Sequence, residues 1–195
     1  GAPWTLLIYM LSLNKDKSSN QGQVEKKDIT LILQILNNYL SLHIKNQIDA
    51  GADIVQIFDS WSGLLEKQHL NKFCYEPNYK LVNFCREKKI PVICFPKGIN
   101  ENYKNFNNIV KPDGINIDPM LEPNWCKKNL KNVVIQGGLD PKILLKSEKE
   151  ITDAATKYIE TFRDIPYIFN LGHGLLPETD PDNVEKLIKH YRNFK

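Results

Sequence analysis

Arginine is nearly missing from this chain. Among 26 basic residues only Arg86, Arg163 and Arg192 are arginines, and they are far apart in the sequence. Phosphate-backbone recognition draws on clustered, bidentate guanidinium groups, so this set, with a net charge of +3, argues against a nucleic-acid partner. Cysteine is sparse as well. Cys74, Cys85, Cys94 and Cys126 form no C-x-x-C pair, and their spacing gives neither a disulfide framework nor a zinc knuckle. They read as reduced, mostly buried thiols of a cytoplasmic protein. No apolar run approaches the roughly 20 residues that span a bilayer, so no membrane partner is expected. The opening "GAPWTLLIYM" lacks the basic region and cleavage site of a signal peptide. Dinucleotide and P-loop glycine signatures are missing. His43, His69 and His190 lie in or beside helical segments without metal-ligand spacing, so no metal is expected.

What is present is ordinary for a globular domain: 195 residues, 42% apolar and 25% charged. Six short apolar runs read as strands: 4–10 (WTLLIYM), 53–59 (DIVQIFD), 91–96 (PVICFP), 114–118 (GINID), 132–136 (NVVIQ) and 167–171 (YIFNL). Little alternation within them suits parallel strands covered on both faces. Helical segments fall between. Ile29, Leu33, Ile35, Leu36, Leu40 and Ile44 keep near-helical spacing before a stop at Gly51. Pro77 predicts a helix–turn–helix break. Ser147 with Glu150 forms a capping box, and Asp180-Pro181 opens a last helix. The polar stretch 14–27 reads as an exposed loop.

Strand and helix alternating in this way predict an α/β fold with a mainly parallel sheet. The polar candidates cluster just after the strands: Tyr9, Asp59 and Ser60, Lys97, Asp118, Gln136 to Asp140, and Asn170 to His173. In a (β/α)8 barrel all of these lie on the carboxyl-terminal rim, where barrel enzymes keep their chemistry, which favours a barrel over an open sheet. Six βα units are two short of closure. Together with a start at Gly1 that runs at once into an ordered segment, this predicts a chain lacking the first part of its domain.

His173 stands between Gly172 and Gly174 where an apolar run ends. Glycine permits a tight turn that presents an imidazole to a ligand, but composition alone equally fits a loop histidine bonded to a carbonyl. Ser60 and Tyr9 carry hydroxyls that donate to an anion at little cost; a turn hydroxyl and a core tyrosine are the plainer readings. Asp59, if buried, needs a partner. Gly137-Gly138 is either an anion cradle or a strand-to-helix turn capped by Asp140, and the turn is favoured. Cys94 sits inside an apolar strand, a poor setting for a nucleophile. Trp4, Trp61 and Trp125 read as core or rim aromatics.

The segments "GAPWTLLIYM", "GADIVQIFDSWSGLL", "PVICFPKG", "QGGLDPKIL" and "FNLGHGLLPETDPDNVEKLI" occur in the order of the motifs of the uroporphyrinogen decarboxylase family, which this chain resembles over essentially its whole length. The resemblance implies one domain over 1–195, a (β/α)8 barrel here with about six of its eight βα units. It implies a homodimer that removes the four acetate carboxyls of uroporphyrinogen, giving coproporphyrinogen, with no metal or organic cofactor. It further implies that Tyr9, Ser60 and His173 contact the substrate. The family's arginine-bearing motif and the aspartate that faces the pyrroles belong before "GAPWTL", so the catalytic group is not among these residues and the isolated chain is expected to be inactive. Two other readings remain. One is a zinc- and corrinoid-linked methyltransferase of the same superfamily, against which Phe95 and Pro96 follow Cys94 and His173 stands where a cysteine ligand belongs. The other is a non-catalytic product of a split or decayed gene.

Overall fold

A computed structural model describes residues 1–12 and 26–194. The loop expected over 14–27 lies outside the described residues except for Lys26 and Lys27, which open a helix. The chain forms two compact units, Gly1–Gly114 and Ile115–Lys195.

The first unit begins with a correction. Residues 4–10, expected as a strand, belong to helix α1, Pro3–Ser12. A short run without alternation fits a buried helix as well as a strand, and Pro3 in the first turn decides it, since its fixed φ suits helix entry. One side of α1 sends Leu7 into a core with Leu33 and Phe73, joined by Trp4, Ile29 and Leu36. Each such fully buried side chain contributes about 2 kcal/mol relative to exposure. Helix α2, Lys26–Asp49, supplies Leu33 and buries Ile44, whereas Ile35, expected on the buried stripe, faces outward. Past the helix Gly51 adopts φ +102, a conformation costly for any side chain.

Strands β1, Val55–Asp59, and β2, Val92–Pro96, pair in parallel, with Val55 opposite Val92 and Asp59 opposite Pro96. The chain between them holds a 3-10 turn at Ser62–Leu64, helix α3, Lys67–Leu70, and helix α4, Glu76–Glu87. The break expected at Pro77 does not occur. Leu70, Asn71, Tyr75 and Glu76 all keep right-handed helical torsions through a π-turn at Asn71–Tyr75. There the Glu76 amide bonds to the Asn71 carbonyl, and the widened turn admits a proline that has no N–H to offer. Helix α5, Tyr103–Val110, closes this unit and ends where Lys111 turns left-handed at φ 53.

Strand β3, Gly114–Ile117, leads into the second unit, followed by helix α6, Pro123–Asn129, and strand β4, Val134–Gly137. After a 3-10 turn at Pro141–Leu145 come helix α7, Glu148–Phe162, strand β5, Tyr167–Ile168, and helix α8, Pro181–Asn193. Within this unit the order is β3-β4-β5, and β5 runs parallel to β4 with Ile135 opposite Tyr167. The capping box at Ser147 and Glu150 is formed, and Asp180 caps α8 through the Asp182 amide. Among the described residues no helix is long and apolar enough to cross a membrane.

Candidate active site

At the end of β1 in the first unit lies a buried polar cluster. Asp59 is 1% exposed and Thr5 2%. The Thr5 hydroxyl, from α1, donates to Asp59 Oδ1 at 2.8 Å; Asn78 Nδ2, from α4, donates to Asp59 Oδ2 at 3.0 Å. Burial pushes the Asp59 carboxyl above its ordinary range, and hydrogen bonds from Thr5, Asn78 and Cys74 oppose that rise. Asn78 Nδ2 also reaches the Cys74 carbonyl at 2.9 Å, while its own carbonyl oxygen is buried without a partner. Asp59 is the residue expected to need a partner once buried; Thr5 and Asn78 are not among the expected site residues. A threonine inside an apolar helix and an asparagine straight after Pro77 were the available signals.

The turn after Asp59 is tied to the end of β2. The Ser62 hydroxyl shares its one proton between the Asp59 carbonyl at 2.8 Å and the Lys97 carbonyl at 2.9 Å, and the Gly63 amide bonds to the same Lys97 carbonyl at 2.9 Å. The backbones at Gly63 and Gly98 approach so closely that a Cβ on Gly63 would stand 3.0 Å from Gly98 Cα. This supported turn carries half-buried Ser60 and exposed Trp61. Tyr9, in the last turn of α1 and 49% exposed, sets its ring edge to face against Trp61 at 6.1 Å. Trp4 Nε1 reaches the Trp61 carbonyl at 3.0 Å. Tyr9 and the Ser60–Trp61 turn are thus brought together at the carboxyl end of β1, although Tyr9 arrives on a helix and not from a strand end.

The second unit gathers a second set of strand-end groups. Gln136 Nε2 donates to Asn116 Oδ1 at 2.9 Å. Gly137 and Gly138 take φ +77 and +100, and a Cβ on Gly137 would lie 2.6 Å from Asn116 Oδ1. Their carbonyls accept from the Tyr167 and Tyr158 hydroxyls at 2.8 and 2.7 Å. Burial raises both phenols well above their ordinary range. Asp140 accepts the Lys142 amide at 2.9 Å with Pro141 opening the turn, which is the strand-to-turn reading of this glycine pair. Leu139 bridges Leu171, the Gly172 amide bonds to the Leu139 carbonyl at 2.8 Å, and His173 follows, exposed.

Cys74, Cys85, Cys94 and Cys126 are all free and buried. Burial raises every thiol, Cys85 to about 11 and Cys126 to about 12, so none is a ready nucleophile. Among the described residues no three His, Cys, Asp or Glu side chains are grouped to hold a metal ion.

The arrangement is that of an α/β protein whose polar side chains collect beyond the ends of parallel strands. Its fold is shared by a solved structure described as a methyltransferase from Methanosarcina mazei, with a TM-score of 0.77 and 16% identity over 88% of this chain and 51% of that one. Residues 1–194 match the profile of uroporphyrinogen decarboxylase (URO-D), and the chain belongs to that family. The uroporphyrinogen decarboxylase of Rickettsia bellii (strain RML369-C) is 39% identical over 202 residues, covering 100% of this chain and 59% of the relative. That of Orientia tsutsugamushi (strain Boryong) is 38% identical over 201 residues, again 100% and 59%. The chain therefore spans well under two thirds of the length of these relatives.

Proposed function

We infer that this protein acts in the decarboxylation of uroporphyrinogen to coproporphyrinogen, as a cytoplasmic homodimer, with Tyr9, Ser60 and His173 each meeting substrate carboxylates. The observation that carries the reading is the juxtaposition of Tyr9 with the Ser60–Trp61 turn, in a chain whose whole length matches the family. Two hydroxyls and an aromatic wall suit a ligand with an apolar macrocycle and carboxylate arms: the ring lies on Trp61 and each arm accepts an O–H. His173, between glycines on an exposed turn, adds an imidazole donor.

The chemistry asks little of the protein beyond electrostatics. Protonation of the pyrrole carbon makes the ring an electron sink, the bond to the acetate carboxyl breaks, and CO2 leaves. Loss of the ring proton and protonation of the exocyclic carbon then leave a methyl group. Each round thus consumes one proton and releases one CO2. Fixed donors on the remaining carboxylates hold the ring in place while its charge develops.

The test joins this chain to the preceding segment of the Rickettsia bellii protein and follows coproporphyrinogen by chromatography. Product is expected from the joined protein and none from the isolated chain. A folded joined protein that binds uroporphyrin but makes no product would overturn the decarboxylase reading.

A further inference from the structure

Tyr9 and Ser60 reach the same strand end by different routes, one from a helix and one from a turn, and a buried hydroxyl joins Trp4 Nε1 in linking the routes. Thr5 Oγ1 donates to Asp59 Oδ1 at 2.8 Å and accepts the Trp61 amide at 3.3 Å. It therefore touches the residue before Ser60 and the residue after it. Thr5 also precedes Tyr9 by one helical turn on the same face of α1. We propose that Thr5 and Asp59 are positioning residues: the Thr5 hydroxyl held on the Asp59 carboxylate sets α1 against the end of β1, so that the Tyr9 and Ser60 hydroxyls stand at a fixed spacing for one carboxylate-bearing ligand. This inference rests on the substrate role proposed for Tyr9 and Ser60.

Neither Thr5 nor Asp59 can meet a ligand directly, since both are buried. Packing alone does not account for them. Burying a carboxylate is costly, and an apolar pair of the same volume at these positions would hold α1 to β1 at least as firmly. The core contacts of Leu7 with Leu33 and Phe73 are non-directional, and the directional bonds beside Thr5, the Ala2 amide on the Phe58 carbonyl at 2.7 Å and Trp4 Nε1 on the Trp61 carbonyl at 3.0 Å, reach main-chain oxygens only. The Thr5 hydroxyl adds a bond from α1 to the Asp59 side chain and completes the setting of the helix's rotation and depth. Asn78 from α4 and the turn hydroxyl of Ser62 hold Asp59 from its other oxygen and its carbonyl, so the carboxylate is itself a fixed reference.

The experiment titrates this chain with uroporphyrin III and reads the quenching of tryptophan emission, for wild type, Thr5→Val, Thr5→Ser, Tyr9→Phe and the Thr5→Val/Tyr9→Phe double variant. Thr5→Val is expected to weaken binding about fivefold, and Thr5→Ser to keep it within about twofold. The double variant is expected to bind no more weakly than Tyr9→Phe alone, because the lock acts through the tyrosine. Thr5→Val that lowers thermal stability yet leaves the affinity of the folded protein unchanged would make the pair merely structural and overturn the proposal, as would full additivity in the double variant. If Thr5→Val does not fold, Thr5→Cys takes its place, with a smaller loss expected and the same outcomes deciding. Where the wild-type chain alone binds no uroporphyrin, the joined protein is titrated, and absence of binding there sinks the proposed function instead. The lock is then judged on Trp61 emission in a Trp4→Phe/Trp125→Phe background, where Thr5→Val must shift the spectrum and Thr5→Ser must not; an unchanged spectrum overturns it.

Discussion

Gly172 lies flat against the ring of Pro119: a Cβ on Gly172 would stand 2.7 Å from Pro119 Cδ and 3.0 Å from Pro119 N. Its amide is fixed on the Leu139 carbonyl at 2.8 Å, so the backbone has no room to retreat. The glycine before His173 is thus demanded by close approach, and the turn that presents the imidazole is set by a proline on a different loop.

Gly172→Ala is accordingly expected to cost about 1–3 kcal/mol of stability through overpacking. Gly174 is the internal control, since a Cβ there meets nothing within 4 Å. Denaturant midpoints should fall for Gly172→Ala and stay within about 0.5 kcal/mol of wild type for Gly174→Ala. Equal midpoints for the two variants would remove the close-approach account.

The buried Asp59 carboxyl makes stability depend on pH with a definite sign. Its folded-state value is raised above the ordinary 3.8 by burial, so over the interval between these values the folded protein binds more protons than the unfolded one. Stability from this group is greatest below about 3.8 and declines as pH rises through the raised value. Asp59→Asn removes the titration, and its amide group would face the Asn78 donor that now meets a carboxylate oxygen. The unfolding free energy of wild type minus that of Asp59→Asn, measured by urea titration, should fall with rising pH across this interval and then level off. A difference that rises over the same interval would mean the carboxyl is lowered and not raised.

Much of this was legible in the sequence, for reasons particular residues make plain. Val92 to Pro96 is buried without interruption and was readable as a strand covered on both faces. Ser147 with Glu150 and Asp180 with Pro181 announce helix starts because their chemistry is local, complete within four residues. The run 4–10 reads as a strand because a helix buried along much of its surface has no more alternation than a covered strand, and the deciding contact, Leu7 on Leu33, joins distant positions. Pro77 points the wrong way for the opposite reason: its local cost is real, but the five-residue π-turn at Asn71–Tyr75 absorbs it. In the candidate site, Ser60 and Tyr9 were visible as residue types after apolar runs. The Thr5–Asp59–Asn78 cluster was not, since its members come from three elements separated by up to 54 positions in a single contact.

Tyr158 offers a test of the second unit. Its hydroxyl donates to the Gly138 carbonyl at 2.7 Å, and burial keeps the phenol neutral throughout the ordinary pH range. Removing the hydroxyl leaves the carbonyl of Gly138 without that donor. Tyr158→Phe should cost about 1–3 kcal/mol in denaturant unfolding, with the loss independent of pH between 6 and 9. A cost below about 0.5 kcal/mol would mean that water replaces the phenol at little expense.

The thiols provide the last check, on burial in both units at once. Cys74 and Cys94 lie in the first unit near Asp59, whose negative charge adds to burial in disfavouring thiolate; Asp113 adds to it at Cys85, and Asp118 acts likewise on Cys126 in the second unit. Reaction with a thiol-specific disulfide reagent needs both access and thiolate, and the folded protein denies both. At pH 8 the native chain should therefore release no chromophore on the minute timescale, and in denaturant it should release four equivalents, one for each cysteine. Fast modification of one thiol in the native protein would locate a segment that opens without global unfolding. Digestion and mass mapping would assign it, and Cys85, whose thiol is the least raised at about 11, is expected to react first as denaturant is added.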